Sequence, residues 1–250
     1  MALFTAHVHL KDPSIAQGFC LVIPDQNQTL CKDGRYPLLW LPADAGEQYN
    51  AWLRFTCIER LAEQYGVAVV MPEGQHSHYA DMKNGPRWCT YLTHTLPSYL
   101  QRNFPVAAAD GDHFGFGYGM AAYGLIRFAA QSPALFRNLY LANMDLTPFV
   151  LPKNEQTQDQ RSWLETIYGT DEPSAIDPEQ NVLALFEKVR AAKVPLRMLC
   201  SQPERYATMK NLRKSLPRDA WMEVASSTEK WEVRERMLCL MFEELFSCAK

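Results

Sequence analysis

The sequence contains no histidine after residue 113, and this gap limits the chemistry open to its second half. Histidine is the side chain that enzymes use most often as a general base. The histidines present are His7, His9, His76, His78, His94 and His113. A catalytic site that takes its imidazole from the C-terminal half of the chain is therefore excluded.

The sequence also lacks a Cys-x-x-Cys pair. Its cysteines are odd in number and widely spaced: Cys20, Cys31, Cys57, Cys89, Cys200, Cys239 and Cys248. This spacing argues against a zinc site and against a disulfide framework. We therefore expect free thiols in a reducing compartment.

Runs of Lys or Arg and long apolar stretches are missing as well. The formal net charge is −3, so we expect neither nucleic acid nor an acidic membrane surface as a partner. No segment approaches the roughly 18 apolar residues of a membrane span. Residues 1–10 show no basic region followed by an apolar core, so we expect no signal peptide and a cytoplasmic protein.

Strand and helix patterns alternate over most of the chain, which predicts an α/β fold with a mostly parallel sheet of about eight strands. Helices are expected on both faces, and two antiparallel strands come first. We predict one domain over residues 1–250, with residues 147–180 as a cap-like excursion over the sheet. Helices are predicted at 50–65, at 88–103 with a kink or break at Pro97, and at 181–192, 205–216 and 232–246.

The segment GFGYGMAAYG at residues 115–124 packs small residues into a sharp turn between a predicted strand and a predicted helix. The G-x-S-x-G nucleophile elbow occupies such a turn in α/β-hydrolases, where strain lifts a serine oxygen above the sheet. The N-terminus of the following helix stabilises negative charge there. In this chain the serine slot, between Gly117 and Ala121, holds Gly119, which has no nucleophilic atom.

Several ungapped segments resemble carboxylesterases of the tributyrin-esterase and esterase-D type, which are relatives of S-formylglutathione hydrolase. The segments are YPLLWL at 36–41, NAWLR at 50–54, IERL at 58–61, VVMP at 69–72, LP at 96–97, FP at 104–105 and MAAYG at 120–124. The resemblance covers most of the chain and implies an α/β-hydrolase fold. It also implies hydrolysis of short acyl esters through an acyl-serine intermediate.

The departures from this family's pattern fall on its catalytic positions. The resemblance places the family's His-Gly pair at Ala43 and Asp44 and its nucleophilic serine at Gly119. The catalytic acid falls on Glu204 and the catalytic histidine on Glu229, ahead of a tryptophan. None of the three side chains of a Ser-Asp-His triad is therefore intact.

The remaining parts of the site rest partly on the resemblance, which gives Ala45 and positions 43 and 44, and partly on the loop after residue 71, which Tyr79 and Trp88 flank. The backbone donors of an oxyanion hole would be the N–H groups of Met120 and Ala45. Residues expected on the pocket wall are Ala43, Asp44, Tyr118, Tyr79 and Trp88.

The order of triad residues along the chain supports the same conclusion without an alignment. In α/β-hydrolases the order is Ser, then Asp or Glu, then His, and an elbow at 117–121 leaves no histidine downstream. Loss of the nucleophile or the base lowers kcat by about 10⁶, although an oxyanion hole and binding alone retain about 10³–10⁴ over water. We predict a pseudoesterase that binds a small acyl or ester-like molecule or a partner. By resemblance, it can form a homo-oligomer.

Three alternatives remain open. Glu204 and Glu229 could form a carboxylate pair for acid–base hydrolysis. The segment GYGMAA at 117–122 also fits the dinucleotide fingerprint G-x-G-x-x-A, with Asp145 as its acidic residue. However, Asp145 lies farther along the chain than the roughly 20 residues which that motif requires. The third alternative is a scaffold that pairs with an active homologue.

Cofactor and metal chemistry are not expected. The dinucleotide match is a lone motif in mid-chain, so we predict no cofactor. His76, His78 and Glu73 are loosely spaced in a loop, so we predict no metal site there.

Overall fold

The central sheet has mixed strand directions, and its parallel part brings several strand ends to one edge. The computed structural model describes residues 1–9, 16–25, 34–108, 110–201, 207–213, 217, 220–224, 226 and 230–246. These residues form an eight-stranded sheet in the order β1-β2-β4-β3-β5-β6-β7-β8. The strands are β1 (Ala2–His9), β2 (Ala16–Ile23), β3 (Leu38–Trp40), β4 (Ala68–Pro72), β5 (His113–Tyr118), β6 (Phe136–Ala142), β7 (Leu196–Cys200) and β8 (Trp221–Glu223).

The pairing pattern confirms the predicted fold class. Strand β2 is antiparallel to both β1 and β4, whereas every pair from β4 to β8 is parallel. Side chains alternate between the two faces of the sheet: Leu38 and Trp40 join one core cluster, and Leu39 and Leu41 join the other. Burial on both faces explains why these short strands are apolar throughout rather than alternating with polar residues.

Helices cover the sheet between the strands. They are α1 (Ala51–Phe55), α2 (Ile58–Tyr65), α3 (Trp88–Thr90), α4 (Leu96–Asn103), α5 (Ala121–Gln131), α6 (Thr147–Val150), α7 (Gln158–Tyr168), α8 (Val182–Ala191), α9 (Ala207–Arg213) and α10 (Trp231–Phe246). The excursion expected at 147–180 contains α6, α7 and two short 3₁₀ turns, Lys153–Glu155 and Pro173–Ala175. None of the helices in the described part of the chain combines the length and apolar character that a bilayer crossing demands.

Two helix predictions need correction. The single helix predicted at 50–65 is two helices, because Thr56 adopts an extended conformation with φ −137° and ψ 170°. Pro97 does not break the helix in which it lies. A π-helical turn, Tyr91–Thr95, joins α3 to α4, and the N–H of Leu96 donates to the carbonyl of Tyr91. Pro97 then falls in the first turn of α4, where its missing N–H is tolerated.

The turn from β5 into α5 brings the backbone of the strand close to the backbone of the helix. A Cβ atom added to Gly117 would lie 2.7 Å from the Cα and N atoms of Ala122 and 2.8 Å from the carbonyl carbon of Ala121. These neighbours are backbone atoms, which cannot rotate away. The strand and the helix can therefore lie this close together only with glycine at position 117.

We predict that Gly117→Ala lowers the free energy of unfolding by more than about 2 kcal/mol, because overpacking against backbone forces the turn to shift. Gly111→Ala is the matched control. Gly111 has φ +79° and open space around its Cα, so this change should cost only the roughly 1–2 kcal/mol of a left-handed alanine. Urea denaturation measures both, and equal losses would contradict the packing argument.

Candidate functional site

Gly119 stands at the apex of the turn between β5 and α5. Its φ is +58°, in the left-handed region, and its N–H donates to the carbonyl of Ala142 at 2.9 Å. Helix α5 begins two residues later, at Ala121. The turn therefore has the form of a nucleophile elbow, with glycine at the position where a serine would stand.

A cleft of about 460 Å³ opens above this turn, and we call it the elbow cleft. Five residues expected at the site line it: Asp44, Ala45, Tyr118, Gly119 and Met120. The other lining residues are His76, His78, Tyr123, Asn143, Asp145, Thr147, Pro148, Trp163 and Arg234. The loops after β3, β4, β5 and β6 thus meet at the carboxyl ends of their strands, where α/β sheets bind ligands.

The carboxylate of Asp44 occupies the two predicted oxyanion-hole donors. Its Oδ1 atom accepts hydrogen bonds from the N–H of Met120 and from the N–H of Ala45, each at 2.8 Å. Oxyanion-hole donors lie 2.7–3.1 Å from the oxygen that they stabilise. The N-terminus of α5 adds a favourable field for a negative charge. An anionic oxygen of the chain itself therefore sits between the two amides.

Arg234 of α10 holds the second oxygen of this carboxylate. Its Nη2 lies 3.3 Å from Asp44 Oδ2, and its Nη1 lies 2.7 Å from Glu47 Oε1. The guanidinium also lies over the ring of Tyr118, 4.1 Å from the centroid, and 4.7 Å from the centroid of Trp231. Two aromatic faces and two carboxylates thus fix one cation, and through it the orientation of Asp44.

The pKa of Glu47 depends on its burial and on the charges of Arg234 and Asp44. Burial raises the pKa of the Glu47 carboxyl above its ordinary range, and the neighbouring Asp44 charge adds to that rise, whereas Arg234 opposes it. The negative charges around Arg234 therefore exceed its single positive charge when both carboxylates are ionised.

Asp44 also excludes a side chain from position 119. A Cβ atom built on Gly119 would lie 2.7 Å from Asp44 Oδ2 and 2.8 Å from Asp44 Cγ, with Oδ1 closer still. The glycine at 119 and the inward carboxylate at 44 are therefore sterically coupled. A serine at 119 would fit only if Asp44 moved.

The remaining triad positions cannot be placed. Glu204 and Glu229 lie outside the described residues. Two histidines, His76 and His78, reach the elbow cleft from the loop after β4. Burial lowers the pKa of His78 to about 3, with the charges of Arg127 and His76 adding to the effect, so this imidazole is a poor proton acceptor.

The structure places three expected pocket residues differently from the prediction. Ala43 and Tyr79 are fully buried below the elbow cleft rather than on its wall, and the Tyr79 hydroxyl donates to the carbonyl of Ala43 at 2.8 Å. Trp88 lines a second cleft, of about 480 Å³, which we call the Trp88 cleft. His76 and Trp163 line both clefts, and their rings stack with centroids 4.5 Å apart.

The sequence did not point to Arg234, whose guanidinium orients the carboxylate of Asp44. Arg234 lies 190 residues from Asp44 along the chain, and no motif marks it. Its only local signal is Trp231, three residues earlier on the same helix and therefore on the same face. Asn143 was also missed. It has φ +44° and bridges β6 to β7 by accepting from the N–H of Ser201.

The geometry of the site also bears on two other ligands considered from the sequence, a dinucleotide and a metal ion. A pyrophosphate at the elbow would meet the Asp44 carboxylate at the amide of Met120, so the arrangement disfavours a dinucleotide at these glycines. Among the described residues, no group of three or more His, Cys, Asp or Glu side chains is arranged to hold a metal ion.

Comparison with known proteins identifies esterase relatives. The family model described as "Putative esterase" matches residues 21–236. The diacylglycerol acyltransferase/mycolyltransferase Ag85A of Mycobacterium gordonae is 31% identical over 138 residues. That match covers 51% of this chain but only 40% of the relative, so the chain spans well under two thirds of its length.

Solved structures extend the likeness over nearly the whole chain. FphF, a fluorophosphonate-binding serine hydrolase of Staphylococcus aureus, superposes with a TM-score of 0.78 at 20% identity, covering 97% of each chain. The S-formylglutathione hydrolase FrmB of the same organism gives 0.75 at 21% identity, covering 97% of this chain and 98% of FrmB. MPT51 of Mycobacterium tuberculosis gives 0.75 at 15% identity over 100% of both chains. These matches confirm the predicted α/β-hydrolase fold, and the family model over residues 21–236 confirms the predicted resemblance to esterases.

We predict that His78 makes the protein less stable in mild acid. A half-buried histidine with a lowered pKa contributes stability above its unfolded pKa of roughly 6.5, and this contribution falls away as the pH drops towards 3. His78→Asn, which suits the left-handed φ of +51° at this position, should remove up to about 1.4 kcal/mol per pH unit from the slope of unfolding free energy between pH 6.5 and 4. Denaturant titrations at several pH values measure it.

The control for this experiment is His94→Asn, since His94 is exposed. Its slope should match that of the wild type. Identical slopes for His78→Asn and the wild type would contradict the half-buried, neutral state of His78.

Proposed function

Because the chain belongs to the esterase family, we propose that it is a pseudoesterase: a member that retains the elbow cleft for binding a small acyl or ester-like ligand and does not hydrolyse it through a serine. The observation that carries this proposal is the position of Asp44 Oδ1 between the amides of Met120 and Ala45. The tributyrin-esterase type remains the subgroup that the sequence resembles.

The first supporting step is the missing nucleophile. Gly119 occupies the apex of the elbow and offers no hydroxyl or thiol. Loss of the nucleophile lowers kcat by about 10⁶ in a serine protease of comparable design. An acyl-enzyme intermediate therefore cannot form at this turn.

The second step is the blocked oxyanion hole. A substrate carbonyl could accept from Met120 and Ala45 only after the Asp44 carboxylate had left, and an oxyanion formed beside that carboxylate would be repelled. Removal of a single donor from an oxyanion hole costs about 10²–10³ in kcat. Here both donors are already engaged, so the residual rate that an empty hole could provide is suppressed as well.

The third step is the missing base. The chain has no histidine beyond residue 113, and burial lowers the pKa of His78 in the cleft to about 3, which makes it a poor proton acceptor. An acid–base pair of Glu204 and Glu229 stays a prediction for these two positions outside the described residues. A scaffold role beside an active homologue, a homo-oligomer and a cytoplasmic location also stay predictions, the last supported by the free thiols of Cys20, Cys57, Cys89, Cys200 and Cys239.

The names of two relatives support an acyl compound as the ligand of the elbow cleft. Ag85A is called an acyltransferase, and FphF was solved with substrate bound. We infer that the elbow cleft of this chain takes the same broad class of acyl compound. The Asp44 and Asp145 carboxylates on its wall favour an uncharged acyl group over a free carboxylate.

Turnover of p-nitrophenyl acetate and p-nitrophenyl butyrate tests this function. We expect the wild type to show no turnover above the heat-denatured protein and no labelling by a fluorophosphonate probe. Gly119→Ser alone should remain inactive, because the chain has no histidine after the elbow to act as the triad base and Asp44 fills the oxyanion hole, whereas adding Glu229→His and Asp44→Gly should restore a trace. Turnover by the wild type close to that of an S-formylglutathione hydrolase would overturn the proposal.

The steric coupling between positions 44 and 119 gives a second prediction. Gly119→Ser should destabilise the wild type by at least 1 kcal/mol more than it destabilises an Asp44→Gly background, about the coupling expected for residues in contact. Denaturant unfolding of the two single variants and the double variant completes the cycle. Gly111→Ser provides the control, since Gly111 shares the positive φ without a neighbour. A coupling near zero would show that Asp44 does not fill the elbow.

A further inference from the structure

Two of the described cysteines differ from the others in their exposure to solvent. Cys20, Cys89 and Cys200 are buried, whereas Cys57 and Cys239 are half-buried. Both half-buried cysteines pack against the same hydrophobic core cluster. Small oxidants and thiol reagents in solution can therefore reach these two thiols, while burial shields the other three.

The two half-buried thiols meet where the start of α2 packs against α10. Cys57 immediately precedes α2, and Cys239 lies within α10. Their side chains share a hydrogen bond. Since Cys57 lies 178 residues before Glu235 along the chain, and Cys239 follows one turn later, the fold rather than the local sequence brings these thiols together.

A second contact holds Cys57 against the same face of α10. The N–H of Cys57 donates to Glu235 Oε1 at 2.7 Å, and Glu235 lies four residues before Cys239 on that helix. Cys57 occupies the N-cap of α2, a position that favours Ser, Thr, Asp or Asn, yet its side chain makes no capping hydrogen bond. The Cys57 thiol therefore contacts α10 rather than capping its own helix.

The surroundings of the pair assign a different role to each thiol. Burial raises the pKa of both thiols, that of Cys239 to about 11. The hydrogen bond between them lowers the pKa of Cys57 and raises the pKa of Cys239. The charges of Glu235 and Arg60 act on the pKa of both thiols in opposite directions. Cys57 is therefore the thiol that attacks an oxidant, and Cys239 is the thiol that resolves the product.

We propose that Cys57 and Cys239 form a dithiol site that closes to an intramolecular disulfide when the protein meets hydrogen peroxide. The Cys57 thiolate attacks one peroxide oxygen, the O–O bond breaks, and a sulfenic acid forms while the departing hydroxide takes up the proton that Cys57 lost. The Cys239 sulfur then attacks the Cys57 sulfur, and the S–O bond breaks. The second hydroxide leaves as water with the Cys239 proton, so two thiols are oxidised and one peroxide is reduced to water.

The disulfide would join α10 covalently to the start of α2. Arg234, which holds the Asp44 carboxylate, lies little more than one turn before Cys239 on α10. Oxidation therefore fixes the helix that carries the guanidinium of the elbow cleft. Because the bond also closes a long loop of the chain, it should stabilise the folded protein. The site is separate from the elbow cleft, so it stands whether or not that cleft hydrolyses esters.

Peptide mapping under non-reducing conditions tests the proposal on the full, reduced chain after treatment with hydrogen peroxide. We expect a peptide linked through Cys57 and Cys239 as the main product, and a higher midpoint of urea unfolding after oxidation. A bridge from either residue to another cysteine, overoxidation of Cys57 without a bridge, or a lower urea midpoint would overturn the proposal.

Variants separate the roles of the two thiols. In Cys239→Ser, peroxide should give no bridge and no rise in the urea midpoint, and dimedone should trap a sulfenic acid on Cys57. In Cys57→Ser, dimedone labelling of Cys239 should be at least fivefold weaker. Cys89→Ser is the control, because Cys89 is buried, and it should form the bridge as the wild type does.

Thermal melts under reducing conditions verify that each variant is folded. Equal dimedone labelling of Cys57 and Cys239 in the two folded variants would contradict the assigned roles. A urea midpoint that rises with peroxide in folded Cys239→Ser as much as in the wild type would show that the stabilisation comes from another site.

Discussion

At the carboxyl ends of the parallel strands, two backbone N–H groups share one acceptor. The other side chains of the site are arranged around that acceptor. The N–H groups of Met120 and Ala45 point to a single position, which Asp44 Oδ1 fills at 2.8 Å from each. Backbone N–H groups are strong donors that pair with a protein acceptor or with water. In a hydrolase of this fold the pairing comes from water or from the reacting carbonyl, whereas here it comes from the chain itself. The charge placed there then needs its own partner, which is Arg234, 190 residues away.

The substitutions at the catalytic positions are consistent with one another in physical terms. An inward carboxylate at 44 leaves no room for a side chain at 119, and glycine at 119 removes the steric obstacle to that carboxylate. Arg234, fixed between Tyr118 and Trp231, holds both Asp44 and Glu47. The cleft above them stays open at about 460 Å³. Glycine in the serine slot is therefore accompanied by a polar network around Asp44 rather than by collapse of the cleft.

The fold and the elbow could be predicted from sequence, because buried strands, the small residues of 115–124 and the family segments are local signals. The amides of Met120 and Ala45 could be named for the same reason; both donate to Asp44 Oδ1, and their role as an oxyanion hole stays a prediction. The role of Asp44 could not, since a position in the loop says nothing about which amides a side chain will reach. Tyr79 was expected on the pocket wall because it is aromatic and near the loop. It is instead buried, since Gly74 and Gly124 leave space for its ring. Contacts between distant segments, such as Arg234 with Asp44, have no local signature.

The central claim is that the Asp44 carboxylate occupies the amides of Met120 and Ala45, and the proton chemical shifts of these two amides test it most directly. In ¹⁵N-labelled wild-type protein we predict that both resonances lie well downfield, as expected for charge-assisted hydrogen bonds. In Asp44→Ala both should move upfield together, and in Asp44→Asn, which keeps an uncharged acceptor, they should move less. Two resonances that stay in place when Asp44 is replaced by alanine would contradict the account.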